Sequence, residues 1–224
     1  MSEAARLRVA VLASGRGSNL EALIDAMRAA RLPIEIVLVA SDNADAFALR
    51  IAEAAGIATL ALDPRGYTDR ASFDADLFAR IAEAAPDLLV LAGFMRIIDP
   101  AVLAPWAGRA INIHPSLLPK YRGLRTHERA LAAGDATHGA SVHFVTAELD
   151  GGPVIAQVEI PLAAGDTPAT LASRLLPHEH RLLVACVGLL AARRVALEDD
   201  AIVFDGRPLA TPLKFRDDGF DAGA

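Results

Sequence analysis

The stretch of sequence that decides the fold is RVAVLASGRGSN, residues 8–19. Its first half, Arg8 to Ala13, is a run of valine, alanine and leucine after a polar start, which is typical of a central parallel strand buried on both faces. Gly15 and Gly17 then form a turn, and apolar residues recur at helical intervals from Leu20 onward. The stretch therefore predicts a strand, a glycine turn and a helix in succession.

The same alternation of strand and helix continues to about residue 92. Alternating elements with short links imply right-handed crossovers and a parallel sheet. We therefore predict an α/β fold, with an open, mostly parallel twisted sheet and helices on both of its faces. The further strands expected here are Glu35 to Ala40, Ala58 to Leu62 and Leu88 to Ala92, and the helices are Ala44 to Ala55 and Asp69 to Ala85.

The C-terminal half is predicted to add antiparallel strands and one long helix. Gly139 to Val145 and Val154 to Ile160 flank a short turn, so we expect them to pair antiparallel. Thr167 opens a long helix that ends at about Arg193, and Pro177 should kink or split it. The remaining predicted elements are a strand from Ala110 to Ile113, a helix from Arg125 to Ala133 and a terminal hairpin around Asp205 and Gly206.

Length and composition predict a single compact domain over residues 1–224, with a frayed tail at about 217–224. Apolar residues make up 53% of the chain and charged residues 22%, which is typical of a globular protein with one large core. The net charge of −6 provides no basic field for nucleic acid, so we expect small-molecule substrates. The sequence leaves open whether the protein is a monomer or a homodimer.

Targeting and cysteine signals are sparse. The start, Met1 to Arg8, has no apolar segment after a basic one, and no stretch approaches the roughly 18 unbroken apolar residues of a membrane span. A single cysteine, Cys186, excludes an intrachain disulfide framework and a cysteine-rich metal site. We therefore expect a cytoplasmic protein that binds no membrane.

Three polar side chains are predicted to form a site for chemistry. Pro115 cannot continue a sheet ladder, so Asn112 and His114 should stand at the carboxyl end of their strand, where open parallel sheets bind ligands. Asp150 lies in a turn signalled by Asp-Gly-Gly-Pro, and a carboxylate near an imidazole raises the imidazole pKa and fixes its tautomer. Taken alone, an asparagine and a histidine at a strand end more often hydrogen-bond a loop.

The glycine turn is a second candidate site. Backbone amides at a helix N-terminus bind phosphate, and the glycines of residues 15–19 would let the anion approach closely. The turn lacks the further signals of a dinucleotide or ATP site, so a monophosphate is the better match. The alternative is a plain strand-to-helix turn, in which Ser18 caps the helix and forms a capping box with Glu21.

A longer set of residues resembles a known family. It comprises NIHPSLLPKY at 112–121, Gly123, Thr126 and His127, His138 and Gly139, SVHFV at 141–145 and LDGGP at 149–153. This set resembles the folate-dependent formyltransferases, and among them the phosphoribosylglycinamide formyltransferase family. The resemblance extends from Val9 to about Val187.

The resemblance implies transfer of the formyl group from 10-formyltetrahydrofolate to the amine of 5-phosphoribosylglycinamide in purine biosynthesis, without a metal. It implies that Asn112 and protonated His114 donate to the oxyanion, while Asp150 keeps the imidazole charged. It further implies substrate binding by Gly17, Ser18, Asn19 and Glu179, and folate binding by Arg70, Met95, Arg96, Ile97, Ile98 and Asn112.

The sequence departs from the family pattern at two positions. Arg122 and Arg125 stand where many relatives have proline and histidine, which puts the flexibility of this loop in question. A formyltetrahydrofolate hydrolase and a non-catalytic folate- or nucleotide-binding module remain as alternatives. Hydrolases of this kind carry an added N-terminal regulatory domain, and methionyl-tRNA formyltransferases carry a C-terminal RNA-binding domain, so we expect neither activity from a chain of 224 residues.

Overall fold

A computed structural model describes residues 6–216 and 219–221 of the chain. The chain divides into two compact units, Met1–Ile111 and Asn112–Ala224. The single domain expected over residues 1–224 stays a prediction. Of the predicted frayed tail, 219–221 form a short strand, and 217, 218 and 222–224 lie outside the described residues.

The first unit is built on parallel strands in the order β4-β1-β2-β3. The predicted central strand is β1, in which Val9 to Leu12 are buried, so burial on both faces is confirmed. The strands are β1 (Leu7–Leu12), β2 (Ile34–Ser41), β3 (Thr59–Ala61) and β4 (Leu88–Leu91), and the helices are α1 (Ser18–Arg28), α2 (Phe47–Ala54), α3 (Arg70–Glu83) and α4 (Pro100–Leu103).

The strand β5 (Ala110–His114) spans the boundary between the two units along the chain. In the second unit the strand order is β12-β11-β7-β6-β5, and β6 pairs antiparallel with β7 as predicted. A separate antiparallel sheet has the order β10-β9-β8. The remaining elements are α5 (Thr126–Ala133), β6 (Thr137–Phe144), β7 (Val154–Pro161), α6 (Pro168–Ala191), β8 (Val195–Glu198), β9 (Ala201–Phe204), β10 (Arg207–Pro208), β11 (Leu213–Arg216) and β12 (Gly219–Asp221).

The predicted fold class is confirmed, and two local expectations are wrong. Ser18 forms no capping hydrogen bond, because Gly17 is the N-cap residue and Ser18 is already the first residue of α1. A split of α6 at Pro177 is also wrong, because the helix runs unbroken through it, and a kink there stays a prediction. Leu171 and Leu182, one on each side of Pro177, are fully buried, so packing holds the helix together where one backbone hydrogen bond is missing.

Among the described residues, no helix combines the length and the apolar character needed to cross a membrane.

Candidate active site

The end of β5 carries two of the predicted catalytic side chains. The strand runs one residue further than expected, to His114, and Pro115 follows it. Asn112 and His114 are two residues apart, so they project from the same face of the strand. Asn112 is partly buried and His114 is buried, with 6% of its surface exposed. The strand end thus presents an imidazole that can exchange a proton and an amide that can donate a hydrogen bond.

The Asp-Gly-Gly-Pro turn brings Asp150 to the same place. The turn is tied to β6 by a hydrogen bond of 2.9 Å from the Phe144 N–H to the Pro153 carbonyl. A Cβ atom on Gly152 would lie 1.9 Å from the Phe144 oxygen, so glycine is required for this close approach. Asp150 itself adopts a left-handed conformation with φ of 48°, which aspartate tolerates better than most residues.

The three predicted catalytic residues are thereby brought together. Asp150 Oδ2 lies 3.4 Å from His114 Nδ1, and Asp150 Oδ1 lies 3.4 Å from Asn112 Nδ2. The Gly123 N–H also donates to Asp150 Oδ2 over 2.8 Å. Burial raises the pKa of Asp150, but contacts with His143, His114 and Gly123 outweigh it and lower the pKa below the ordinary value. Asp150 is therefore a carboxylate at neutral pH.

His143 is a member of the site to which the sequence assigned no role. Its Nδ1 lies 2.8 Å from the Phe144 carbonyl oxygen, which only accepts, so Nδ1 carries a hydrogen. In the neutral ring, Nε2 then accepts from Asn112 Nδ2 over 3.1 Å. Both N–H groups of the Asn112 amide are thus engaged, one with His143 and one with Asp150. The alternation of Ser141 and His143 in a buried strand was the signal that could have identified this residue.

The two ring nitrogens of His114 face different partners. Nε2 lies 3.0 Å from the Tyr121 carbonyl oxygen, so Nε2 carries a hydrogen, and Nδ1 faces Asp150. Burial lowers the pKa of His114, and the opposing effects of Tyr121 and Asp150 are smaller. The protonated imidazole that the resemblance implies stays a prediction. The lowered pKa favours a neutral ring with Nδ1 as its basic nitrogen, although Nδ1 also faces the Asp150 carboxylate.

In the first unit, the glycine turn has at Gly17 a backbone conformation and a close approach that suit only glycine. Gly17 has φ of 75°, and a Cβ atom there would lie 2.7 Å from Ala48 Cα. The glycine is therefore needed for the packing of α1 against α2, whatever else the turn does. Asn19 is buried next to this turn, and its Oδ1 has no hydrogen-bond partner in the described part of the chain.

Apart from Asn112, the predicted folate residues lie in the same unit as the glycine turn. The Met95 N–H donates to Ser14 Oγ over 3.0 Å, so residues 93–98 lie against the start of the turn. The side chains of Met95 and Ile97 are 71% and 56% exposed, which is unusual for large apolar groups and suits a surface that covers a ligand. Arg70, the first residue of α3, is exposed.

Arg96 is held by its neighbours in this unit. Its guanidinium lies 4.7 Å from the centre of the Phe73 ring. Burial raises the pKa of Asp74, and the Asp99 N–H, Arg96 and Arg70 oppose this rise. The two predicted folate arginines therefore share one buried carboxyl group as an electrostatic partner.

Glu179 is buried on α6 in the second unit, with 9% of its surface exposed. Within residues 6–216 and 219–221, no group of three or more histidine, cysteine, aspartate or glutamate side chains is arranged to hold a metal ion. A metal-free reaction stays a prediction.

Comparison with known proteins identifies the family. The profile of the formyl transferase family matches residues 7–187. The chain belongs to the formyl transferase family. The phosphoribosylglycinamide formyltransferase of Escherichia coli K12 is 46% identical over 203 residues, which cover 91% of this formyl transferase chain and 96% of the relative. The family expected from the sequence is thus confirmed.

Solved structures of similar proteins agree with the fold. The phosphoribosylglycinamide formyltransferase of Coxiella burnetii is 45% identical, with a TM-score of 0.88 over 92% of this chain and 96% of that one. A formyltetrahydrofolate deformylase of Pseudomonas putida KT2440 is 29% identical, with a TM-score of 0.79 over 91% of this chain and 72% of that one. The hydrolytic relative is thus similar in fold and more distant in sequence.

Proposed function

We propose that this formyl transferase moves the formyl group of 10-formyltetrahydrofolate to the amine of 5-phosphoribosylglycinamide, in purine biosynthesis. The observation that carries the proposal is the position of Asp150, 3.4 Å from both His114 Nδ1 and Asn112 Nδ2. This triad supplies a base, a charge partner for it and an amide donor. The identity of 46% to a phosphoribosylglycinamide formyltransferase supports the choice of substrates.

Neutral His114 is suited to accept the proton that the amine loses. When the amine attacks the formyl carbon, a carbon–nitrogen bond forms and the amine nitrogen must lose a proton. His114 Nδ1 can take it, directly or through one water, because the Tyr121 carbonyl holds the hydrogen on Nε2. A pKa below the ordinary value favours the form in which this nitrogen carries no proton. The same proton can then pass to the departing folate nitrogen when its bond to carbon breaks.

Asp150 stabilises the imidazolium that results. Its carboxylate faces Nδ1 in a buried site, where a charge pair is stronger than in water. No serine or cysteine nucleophile is required, because a neutral amine is already nucleophilic.

Asn112 is proposed to donate to the oxyanion that forms on the former carbonyl oxygen. In the free protein both of its N–H groups are engaged, with His143 and with Asp150. Donation to the oxyanion therefore requires the amide to release one of these partners as substrate binds. His143 is the partner that can be released without moving the catalytic carboxylate.

The binding roles are proposals of the same kind. The free backbone N–H groups at the start of α1 support phosphate binding at residues 17–19. The exposed apolar side chains of Met95 and Ile97 support a role in covering the pteridine ring. We propose Gly17, Ser18, Asn19 and Glu179 as substrate-binding residues, and Arg70, Met95, Arg96, Ile97, Ile98 and Asn112 as folate-binding residues.

We further propose that the enzyme works in the cytoplasm on these small molecules alone, without nucleic acid, membrane or metal, as a monomer or a homodimer. The acidic net charge of −6 supports the exclusion of nucleic acid.

The test follows release of tetrahydrofolate from 10-formyltetrahydrofolate by the purified protein. Release should be slow with the folate alone and fast when 5-phosphoribosylglycinamide is added, because the bound amine is placed for attack and water is not. A chelator and the omission of ATP should change nothing. Equal release with and without the ribonucleotide would contradict the proposal and favour the hydrolase. Binding of both ligands without release would favour a non-catalytic module.

A further inference from the structure

The loop that follows β5, residues 119–125, is held in a strained conformation; we refer to it as the active-site loop. Tyr121 and Arg125 have φ of 57°, and Gly123 has φ of 77°. The left-handed region is unfavourable for residues that carry a side chain. The loop therefore needs contacts outside itself to keep this path.

Two backbone groups of the active-site loop touch the catalytic side chains. The Tyr121 carbonyl accepts from His114 Nε2 over 3.0 Å, and the Gly123 N–H donates to Asp150 Oδ2 over 2.8 Å. The first contact fixes the tautomer of the imidazole, and the second orients the carboxylate. The path of residues 121–123 thus sets the geometry of the base and its charge partner together.

Arg122, between these two contacts, ties the loop to the turn that carries Asp150. Its guanidinium Nη1 forms an ion pair with Glu148, two residues before Asp150. The Glu148 side chain lies against Gly151, where a Cβ atom would come within 2.4 Å of its carboxylate. From the other side, Arg129 Nη1 on α5 donates to the Arg122 carbonyl over 2.6 Å. Arg122 is therefore held at both its backbone and its side chain.

We propose that Arg122 and Glu148 are positioning residues, whose ion pair holds the active-site loop on the Asp150 turn so that Tyr121 and Gly123 keep the catalytic pair oriented. Neither side chain touches the reacting atoms in this role. The inference rests on the proposed function, because its kinetic readout is formyl transfer.

The expected effect is modest and specific. The two side chains are 39% and 67% exposed, so solvent and salt screen their attraction. Arg122→Ala should lower kcat about two- to fivefold at low ionic strength, the range typical of exposed ion pairs. Both KM values should stay near those of the unchanged protein, because the loss concerns orientation of the base. Arg122→Lys should retain most of kcat, since a cation remains.

The design is a double-mutant cycle at low ionic strength. Arg122→Ala, Glu148→Ala and the double variant should have equal kcat, because each removes the same interaction. The reversed pair, Arg122→Glu with Glu148→Arg, should recover part of the loss, and about 1 M salt should bring all variants close to the unchanged protein. The matched control is the Arg194–Asp205 ion pair, with side chains 49% and 46% exposed outside the loop and the turn. Its alanine variants should leave kcat unchanged.

A second measurement separates this inference from the proposed function. Amide hydrogen exchange at Gly123, followed by NMR without substrates, should become about two- to fivefold faster in Arg122→Ala and stay unchanged in Arg194→Ala. Faster exchange in a protein that transfers no formyl group would support the holding role while the proposed function fails. Normal formyl transfer by the unchanged protein, with additive losses in the cycle and unaltered exchange at Gly123, would overturn the inference.

Discussion

Replacing Asp150 with asparagine removes one charge and, with the new oxygen facing Gly123, the acceptor of one Asn112 N–H. Asparagine has the same shape, can still accept from the Gly123 N–H and tolerates the left-handed φ of 48°. Alanine at this position would add backbone strain and leave Gly123 without its acceptor. Asp150→Asn should therefore fold with nearly unchanged stability, which urea unfolding checks.

The size of the catalytic loss follows from the geometry. Charges 3.4 Å apart attract by about 5 kcal/mol at an effective dielectric constant of about 20. This value is a ceiling, because asparagine keeps a dipole near the imidazolium and water can enter. Removing one preorganised electrostatic group from an active site costs roughly 10²- to 10³-fold in kcat. We expect a loss in that range for Asp150→Asn, with KM for the folate little changed.

Initial rates across a range of pH provide the assay. Because Asp150 raises the pKa of His114, its removal should move that pKa still further below the ordinary value. The acidic limb of kcat should therefore move to lower pH in the variant, because His114 must be neutral to accept the proton. A kcat within about threefold of the unchanged protein would refute the role assigned to this carboxylate.

The remaining predictions concern stability and reactivity. Gly17→Ala should lower the free energy of unfolding by about 1–3 kcal/mol, because its Cβ would lie 2.7 Å from Ala48 Cα. In the control variant Gly15→Ala the new Cβ meets open space, so the free energy of unfolding should change by less than about 0.5 kcal/mol. Equal losses of the two variants in urea unfolding would contradict this prediction. Burial lowers the pKa of His138 from 6.5 to about 4. The neutral side chain therefore contributes on the order of 3 kcal/mol to the free energy of unfolding. This contribution is fully present above pH 6.5 and is lost as the pH falls through about 4. His138→Gln should flatten the acid side of the unfolding free energy plotted against pH, and an unchanged slope would count against the shift. Burial raises the pKa of Cys186, so a thiol reagent should label it only on unfolding, and rapid labelling of the folded protein would contradict its burial.

The grouping of Asn112, His114 and Asp150 could be predicted because its signals are local, whereas their catalytic roles rest on the resemblance and stay proposals. Pro115 ends the ladder after His114, and Asp-Gly-Gly-Pro forms a turn in almost any context. Strand ends and turns then place Asn112, His114 and Asp150 at one location. The protonation state could not be predicted in this way, since it depends on how deeply His114 is buried.

Other parts of the site depend on the path of the backbone. The Tyr121 carbonyl and the Gly123 N–H contact the catalytic side chains, and every residue type except proline offers both groups, so no sequence pattern marks them. The sequence also did not reveal the short strands β8, β11 and β12. Their pairing is decided by distant partners, such as the parallel contact of Leu213 with Ala156 in β7.

The most direct test of direct formyl transfer follows the formyl carbon itself. Protein is mixed with 10-formyltetrahydrofolate carrying a ¹³C label in the formyl group and with 5-phosphoribosylglycinamide, and NMR measures the label in the products. The account predicts that nearly all of the label appears in the formylated ribonucleotide, at a rate that Asp150→Asn lowers. Label that accumulates as formate at the same rate with and without the ribonucleotide would contradict the account.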